Sequence, residues 1–229
     1  MKKVDVNWIR ENFDVPDDMM DDQILKAGER IEKEREAALE KMIGNQIELN
    51  RMKVQVLGEG IEFVAGYHDT HMLNIVEWLF VEGYYGACCI LSRATLEYLL
   101  QEECVRSPEF KGIIDGPGRN PEIGEMAKYL GGADSWNAAH WQSYEKVKEN
   151  GDIVAHHRLE RICQGKDPKS YKWGVAVVKF GVGGLENLGP DRRATYEANR
   201  ANEERRMSMQ SLAALYVLFK MYRGSPSTR

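Results

Sequence analysis

The sequence predicts an all-α fold, and three long helix-forming segments indicate it. Residues 18–57 are dense in Glu, Lys and Arg, residues 84–105 are apolar on most sides with few breakers, and residues 191–223 change from polar to apolar. At 229 residues the chain is long enough for one sizeable core with appended helices. We therefore expect a charged helical extension over 1–60, a helical bundle over 61–223 and a disordered tail over 224–229.

The extension is expected to consist mainly of one charged helix. Its acidic start at Asp17 and Asp18 suits a helix N-terminus, and apolar residues form only a narrow stripe along it. Gly28 and Gly44 interrupt the helix formers, so the pattern does not predict a sustained heptad coiled coil. Packing of this helix against the body of the protein and packing against a partner chain both remain open.

The first half of the bundle contains two apolar helices. Residues 71–80 predict a buried helix that ends at Gly83, and residues 84–105 predict the central core helix. Arg93 and Glu97 are the midspan charges of the central helix, four residues apart, and a buried charge requires a partner. Their simplest role is to pair with each other.

The second half of the bundle begins after a loop at 107–121 that contains three prolines and three glycines. Helix resumes at 122–130, and Asp134 or Ser135 is expected to cap the next helix. The glycine-rich residues 171–188 predict a small irregular or hairpin insertion before the last helix. The G-V-G-G within it lacks the spacing of a dinucleotide site or a phosphate loop.

The composition limits the possible partners and the compartment. The formal net charge is -5, so long-range electrostatics give no general attraction to nucleic acid or anionic membranes, although a local basic patch stays open. No apolar run is long enough for a membrane span and the start lacks a secretory signal, which predicts a soluble, cytoplasmic protein. The four cysteines form no C-x-x-C pair and are expected to be reduced core thiols.

The most informative stretch is residues 147–157, V-K-E-N-G-D-I-V-A-H-H. It places Lys148, Asp152 and His156 four residues apart, on one face of a helix. Such a row is either a functional site or a polar staple between helices. The imidazole favours a site, because its ordinary pKa of about 6.5 suits proton transfer at cellular pH and a carboxylate one turn away can orient it.

Two segments together resemble the HEPN superfamily, and more narrowly an uncharacterised HEPN-like group of bacterial and phage proteins. They are G-Y-Y-G-A-C-C-I-L-S-R-A-T-L-E-Y-L-L at 83–100 and V-K-E-N-G-D-I-V-A-H at 147–156. The match runs from about residue 80 to about 220. The resemblance implies an all-α bundle of four or five helices that pairs as a homodimer.

The resemblance also suggests functions. Ribonucleases of the superfamily carry R-[NDH]-x-x-x-H, and alignment on His156 puts Gly151 where that arginine belongs. Lys148, one turn earlier, matches the basic position of the I-R-x-x-G-N-x-x-A-H form found in the HEPN-like group. The resemblance implies a module that binds nucleic acid or nucleotides, in defence or stress response. In the competing interpretation the polar row only fixes helix packing, and the charged N-terminal helix, which lies outside the match, is the surface for a protein partner. Arg93, Glu97 and His157 are the candidate binding residues.

The alternative function is a metal-independent endoribonuclease that acts across a homodimer interface. His156 would serve as general acid or base on a ribose 2′-OH, Lys148 would stabilise the developing phosphate charge and Asp152 would hold the imidazole. Neither reading requires a cofactor. Burial discriminates a structural row from a functional one. A row sealed within one monomer indicates a structural role, whereas a row that lines a dimer groove with basic rims indicates RNA or nucleotide binding.

Two other groups of residues carry weaker signals. His68, Asp69 and His71 give H-D-x-H, but no H-E-x-x-H pattern or further clustered ligand is visible, so no metal site is predicted. Trp136 and Trp141 form either a stacking platform for bases or, as is more common beside a helix seam, part of the core.

Overall fold

The computed structural model describes residues 6–12, 16, 19–58, 61–63, 67–107, 109–110, 121–132, 135–155 and 190–226. Within these ranges the chain is helical apart from one short strand pair, which confirms the predicted all-α class. The helices are α1 (Val6–Asn12), α2 (Asp21–Leu57), α3 (Tyr67–Val81), α4 (Tyr85–Arg106), α5 (Ile123–Leu130), α6 (Ala138–Ala155) and α7 (Pro190–Arg223). The predicted insertion at 171–188 lies outside the described residues.

The chain divides into two compact units, Met1–Ile47 and Glu48–Arg229, whereas the sequence suggested a boundary at residue 60. The first unit contains α1 and the larger part of α2. In this unit Arg10 donates a hydrogen bond to the carbonyl of Met19 at 2.8 Å and pairs with Asp21 at the start of α2. Among the large apolar residues that α2 contributes to this unit, Ile24 is buried.

Three helices form the centre of the second unit, where α4, α6 and α7 pack against one another. Helices α3 and α5 pack against α4. The buried positions of α4 include Leu96, Leu99 and Leu100 together with three cysteines. These buried positions put α4 at the centre of the core, as predicted, while Arg93 and Glu97 lie on its partly exposed side.

The cysteines of α4 behave as small core residues. Cys88, Cys89 and Cys104 are free thiols and fully buried. Burial raises the pKa of Cys89 and of Cys104 to about 12, and that of Cys88 well above its ordinary value. Cys163 lies outside the described residues.

A polar network inside the second unit joins three helices. Lys53 of α2 lies 2.5 Å from a carboxylate oxygen of Glu77 on α3, and the hydroxyl of Tyr216 on α7 donates to the other oxygen at 2.7 Å. Burial, followed by the charge of Glu77, raises the pKa of Tyr216. Each group finds a partner, as a buried polar cluster requires.

Local signals set the starts of α5 and α6. A capping box between Glu122 and Glu125 begins α5. The start of α6 differs from the prediction, because the side chain of Asn137 accepts the hydrogen bond from the backbone N–H of His140 at 3.0 Å. The Ser135 hydroxyl instead donates to the carbonyl of Gly132.

A residue from α7 completes the end of α2. Helix α2 has no basic residue in its last turn, where exposed carbonyls need donors. Lys220 supplies them, donating to the carbonyls of Val56 at 3.3 Å and Leu57 at 3.1 Å. The chain then pairs strand β1 (Ile61–Phe63) antiparallel with strand β2 (Gly224–Pro226), so part of the segment expected to be a disordered tail forms a strand.

Candidate functional site

Two members of the row predicted on residues 147–157, Lys148 and Asp152, lie on α6. Lys148 and Asp152 face the same side, with the ammonium 3.2 Å from one carboxylate oxygen, as four-residue spacing on a helix requires. Tyr144 occupies the position one turn before Lys148 and extends the row. His156 and His157 follow α6 and lie outside the described residues.

Arg93 of α4 enters this row from the neighbouring helix. Its Nε lies 2.7 Å from the other Asp152 oxygen, and its Nη1 lies 3.7 Å from Glu97 on its own helix. The Nε–H is not aligned for a hydrogen bond, so the contact with Asp152 is an ion pair. Asp152 thus has one oxygen on an arginine and the other on a lysine.

Gly151 is the reason that Arg93 can lie there. A Cβ atom at position 151 would be 2.5 Å from Arg93 Cβ and 2.8 Å from Arg93 Cδ, which is closer than carbon atoms approach in folded proteins. The aliphatic stem of Arg93 therefore crosses α6 at the glycine backbone. Glycine is unfavourable inside a helix, but α6 continues through Gly151 to Ala155.

Asn150 fixes the opposite side of α6. It is 4 % exposed, and its Nδ2 donates to the carbonyl of Met207 at 3.0 Å and to the hydroxyl of Ser211 at 3.1 Å. Both acceptors belong to α7. Three consecutive residues, Asn150, Gly151 and Asp152, therefore position α6 against its two neighbours, and this orients the row.

The row is partly open to solvent rather than sealed inside the unit. The exposed fractions of the side chains are 33 % for Arg93, 39 % for Lys148, 46 % for Glu97 and 22 % for Asp152. Two cations face two carboxylates, so the cluster of these four residues is formally neutral. Burial, followed by the negative charge of Asp152, raises the pKa of the Tyr144 hydroxyl at its edge.

The predicted tryptophan pair and the predicted histidine cluster lie elsewhere in the structure. Trp136 packs into the core at 6 % exposure, with its ring in T-shaped contact with Trp141, and its Nε1 donates to the hydroxyl of Tyr222. Among the residues that the structure describes, no three His, Cys, Asp or Glu side chains cluster closely enough to hold a metal ion. His71 is exposed on α3, and the side chains of His68 and Asp69 are outside the described part.

Reasoning from the sequence did not identify two features of the site. Tyr144 could have been included, because it precedes Lys148 by four residues on the same helix. The contact of Arg93 with Asp152 had no local signal, since it joins residues on different helices. The sequence paired Arg93 with Glu97, whereas the shorter ion pair is the one with Asp152.

Comparison with known proteins found no matching family model, no matching curated protein and no matching solved structure. In the described part of the chain no helix is long and apolar enough to cross a membrane.

Proposed function

We propose that the protein is a HEPN-like helical module that binds a phosphate-bearing ligand, RNA or a nucleotide, at Arg93 and Lys148. The observation that carries this proposal is the position of Asp152 between the two cations. One carboxylate holds an arginine and a lysine side by side at an edge that solvent reaches. Cations held in place before binding lose less conformational entropy when a phosphate arrives.

The expected binding chemistry follows from the contacts of Arg93. Its Nε faces Asp152, so a phosphate would be bound by the Nη groups of the guanidinium. Glu97 is the competitor there, but it is 3.7 Å away and nearly half exposed, which makes it a weak and exchangeable partner. Lys148 would add a second charge on the same phosphate or the next one.

The charge balance predicts modest affinity. Because the net charge is -5 and carboxylates flank the site, attraction is local and the binding rate gains little from steering. Two cations in contact with single-stranded RNA give a slope of log K against log salt of about -1.4. A much steeper slope would indicate a different and larger basic surface.

The test is a binding titration of the purified protein with a fluorescent single-stranded RNA and with a labelled adenine nucleotide. We expect Lys148→Ala and Arg93→Ala to weaken binding by about ten-fold or more. Lys146→Ala is the matched control, because Lys146 lies on the same helix but two residues away, on another side. Equal affinity in all four proteins would refute the proposal.

One observation favours ribonuclease activity as a second candidate function. The ribonuclease motif has an arginine at the position of Gly151, and here the stem of Arg93 occupies the space beside that glycine. An arginine therefore reaches this point of α6 from α4. His156 would act on the ribose 2′-OH, with Lys148 and Arg93 stabilising the charge on the phosphate.

Cleavage of RNA by the purified protein in the presence of a chelator tests the second candidate. When a general base removes the 2′-OH proton, the 2′-oxygen attacks the adjacent phosphorus and the bond to the 5′-oxygen breaks, with that oxygen leaving as a hydroxyl. The products are therefore expected to carry a 2′,3′-cyclic phosphate and a 5′-OH. His156→Ala is expected to abolish cleavage, while His140→Ala, near the start of α6, serves as the histidine control. Undiminished cleavage by His156→Ala would exclude this mechanism and leave the binding proposal intact.

A further inference from the structure

Two aromatic side chains lie exposed side by side at the turn between α3 and α4. Trp78 of α3 is 54 % exposed, and Tyr84, which directly precedes α4, is 58 % exposed. Their ring centroids are 6.2 Å apart and the ring planes are tilted by 42°, so neither ring is stacked over the face of the other. Tryptophan is usually well buried in a folded protein, so an exposed aromatic pair indicates a binding surface.

The turn holds the two rings in this arrangement. Gly83 has a φ of +84°, and its backbone N–H donates to the carbonyl of Phe80 at 3.1 Å. The N–H of Tyr84 donates to the carbonyl of Leu79 at 2.8 Å. This is the Schellman arrangement at a helix end, in which the residue after the glycine contacts an apolar residue of the last turns. The motif needs only an apolar contact, and it does not require two aromatic rings that both stay more than half exposed.

The surroundings of the aromatic pair are negative. Glu82 follows Trp78 by four residues, and its backbone N–H donates to the carbonyl of Trp78 at 2.9 Å, so the two lie on the same side of the helix end. The C-terminal end of a helix carries partial negative charge, and no basic residue in the last turn of α3 compensates it. The faces of aromatic rings are negative as well. A carboxylate, a helix end and two rings therefore favour a cation here.

We propose that Trp78, Glu82 and Tyr84 form a binding site for a methylated ammonium group, such as the trimethylammonium group of choline. A cation within about 6 Å of a ring centroid is attracted by the ring, and centroids 6.2 Å apart allow one cation to meet this condition for both rings. The site shares no residue with the ligand site proposed on α4 and α6, and it does not depend on that proposal.

Methylation of the ammonium group is the expected basis of selectivity. The ammonium of a lysine is compact and strongly hydrated, so water competes with the rings for it. Methyl groups weaken this hydration and add apolar contact with both rings. Because the site is open to solvent and has only two aromatic walls, we expect a dissociation constant in roughly the millimolar range.

Nuclear magnetic resonance of the isotope-labelled full chain measures the binding. The chain has five tryptophans, and Trp78→Phe identifies the indole N–H resonance of Trp78. Choline chloride is expected to shift this resonance saturably, compared with equal concentrations of sodium chloride. The neutral carbon analogue of choline, with a tert-butyl group in place of trimethylammonium, is expected to bind at least about five-fold more weakly. Equal binding of the neutral analogue, or no saturable shift with choline, would overturn the proposal.

Variants of the aromatic pair test the contribution of the rings. Tyr84→Leu keeps an apolar contact with Trp78 and is expected to weaken choline binding by about five-fold. Ile90→Ala is the matched control, because it removes apolar surface at another exposed position, six residues after Tyr84, and leaves both rings in place. Unchanged binding by Tyr84→Leu, or an equal loss in Ile90→Ala, would show a general apolar surface and refute the site.

Glu82→Gln tests the charge at the helix end and is expected to weaken choline binding by about three-fold. Glu145→Gln changes the net charge equally at an exposed position of α6, and it is expected to leave the binding unchanged. Equal effects of the two variants would mean that the overall charge of the protein attracts the cation, which contradicts the proposed role of Glu82.

Vesicles distinguish the two sources of a trimethylammonium group. If wild type sediments with phosphatidylcholine vesicles and Trp78→Leu does not, the site takes a lipid headgroup. If choline binds and the protein stays in solution, the site takes a soluble compound. Absence of both kinds of binding would overturn the proposal.

Discussion

The side chain of Arg93 crosses α6 at Gly151, which has no side chain of its own to block it. The arginine stem fills the space that a Cβ atom would need, and the Nε then reaches Asp152 at 2.7 Å. Glycine lowers the stability of a helix interior, but at position 151 it allows α4 to approach α6 closely. The ion pair that organises the candidate site depends on that approach.

Gly151→Ala is expected to lower the free energy of unfolding by about 1–3 kcal/mol, because Arg93 Cβ belongs to the framework of α4 and cannot move aside easily. Gly44→Ala is the matched control. No atom lies within 4 Å of the added Cβ there, so alanine is expected to stabilise α2 by about 0.5–1 kcal/mol. Denaturant unfolding followed by circular dichroism measures both, and an equally stable Gly151→Ala protein would contradict the close packing.

A double-mutant cycle of Arg93→Ala and Asp152→Ala is expected to give a coupling energy of about 1 kcal/mol. The cycle of Arg93→Ala with Glu97→Ala is expected to give less than about 0.5 kcal/mol, because that contact is longer and Glu97 is more exposed. Unfolding free energies of the single and double variants supply both values. The reverse order would show that Glu97 is the main partner of Arg93.

Asn150→Ala is expected to cost about 1–3 kcal/mol, because it leaves the carbonyl of Met207 and the hydroxyl of Ser211 without the donor that they share inside the protein. Asn199→Ala, at an exposed position of α7, is expected to change stability by less than about 0.5 kcal/mol. Thermal unfolding of both variants is the measurement. A neutral Asn150→Ala would mean that α6 is held against α7 by apolar contacts alone.

Alkaline pH is expected to destabilise the fold through the thiols of α4. The folded-state pKa of Cys89 is about 12 against an ordinary value of 9.0, so between these values the native state keeps a proton that the unfolded state loses. This contribution to stability is therefore fully present below about pH 9 and is lost as the pH rises toward 12, with about 1.4 kcal/mol lost for such a thiol at pH 10.

Denaturation midpoints at pH 8 and pH 10 measure this loss, and Cys89→Ala is the control. Cys89→Ala removes one buried thiol, so the difference between the two midpoints is expected to shrink by the part that Cys89 contributes. An identical difference in the variant would assign the alkaline loss to other groups, such as the buried hydroxyl of Tyr216, whose pKa is also raised by burial.

Local patterns were sufficient for the helices and for half of the site. The apolar run of α4 predicted its bounds to within one residue, and four-residue spacing predicted that Lys148 and Asp152 share a face. Both depend only on the period of an α-helix. The same reasoning failed at the start of α6, where Asn137 caps the helix in place of Ser135, because several capping residues follow one another there.

Contacts between helices could not be read from the same patterns. Arg93 had a suitable partner at Glu97, four residues away, and nothing in the sequence indicated that Asp152 would be closer. The partly buried network of Lys53, Glu77 and Tyr216 likewise joins three helices whose relative placement no local rule supplies. Such contacts depend on which helix faces are brought together when the core packs.

The long-range cap on α2 has a consequence for the order of folding. Lys220 lies 163 residues after Leu57, whose carbonyl it satisfies, and it belongs to the last helix of the chain. During synthesis α2 emerges first, and its final turn must rely on water until almost the whole chain has left the ribosome. The last turn of α2 is therefore expected to form late, together with the docking of α7, although it lies in the first quarter of the sequence.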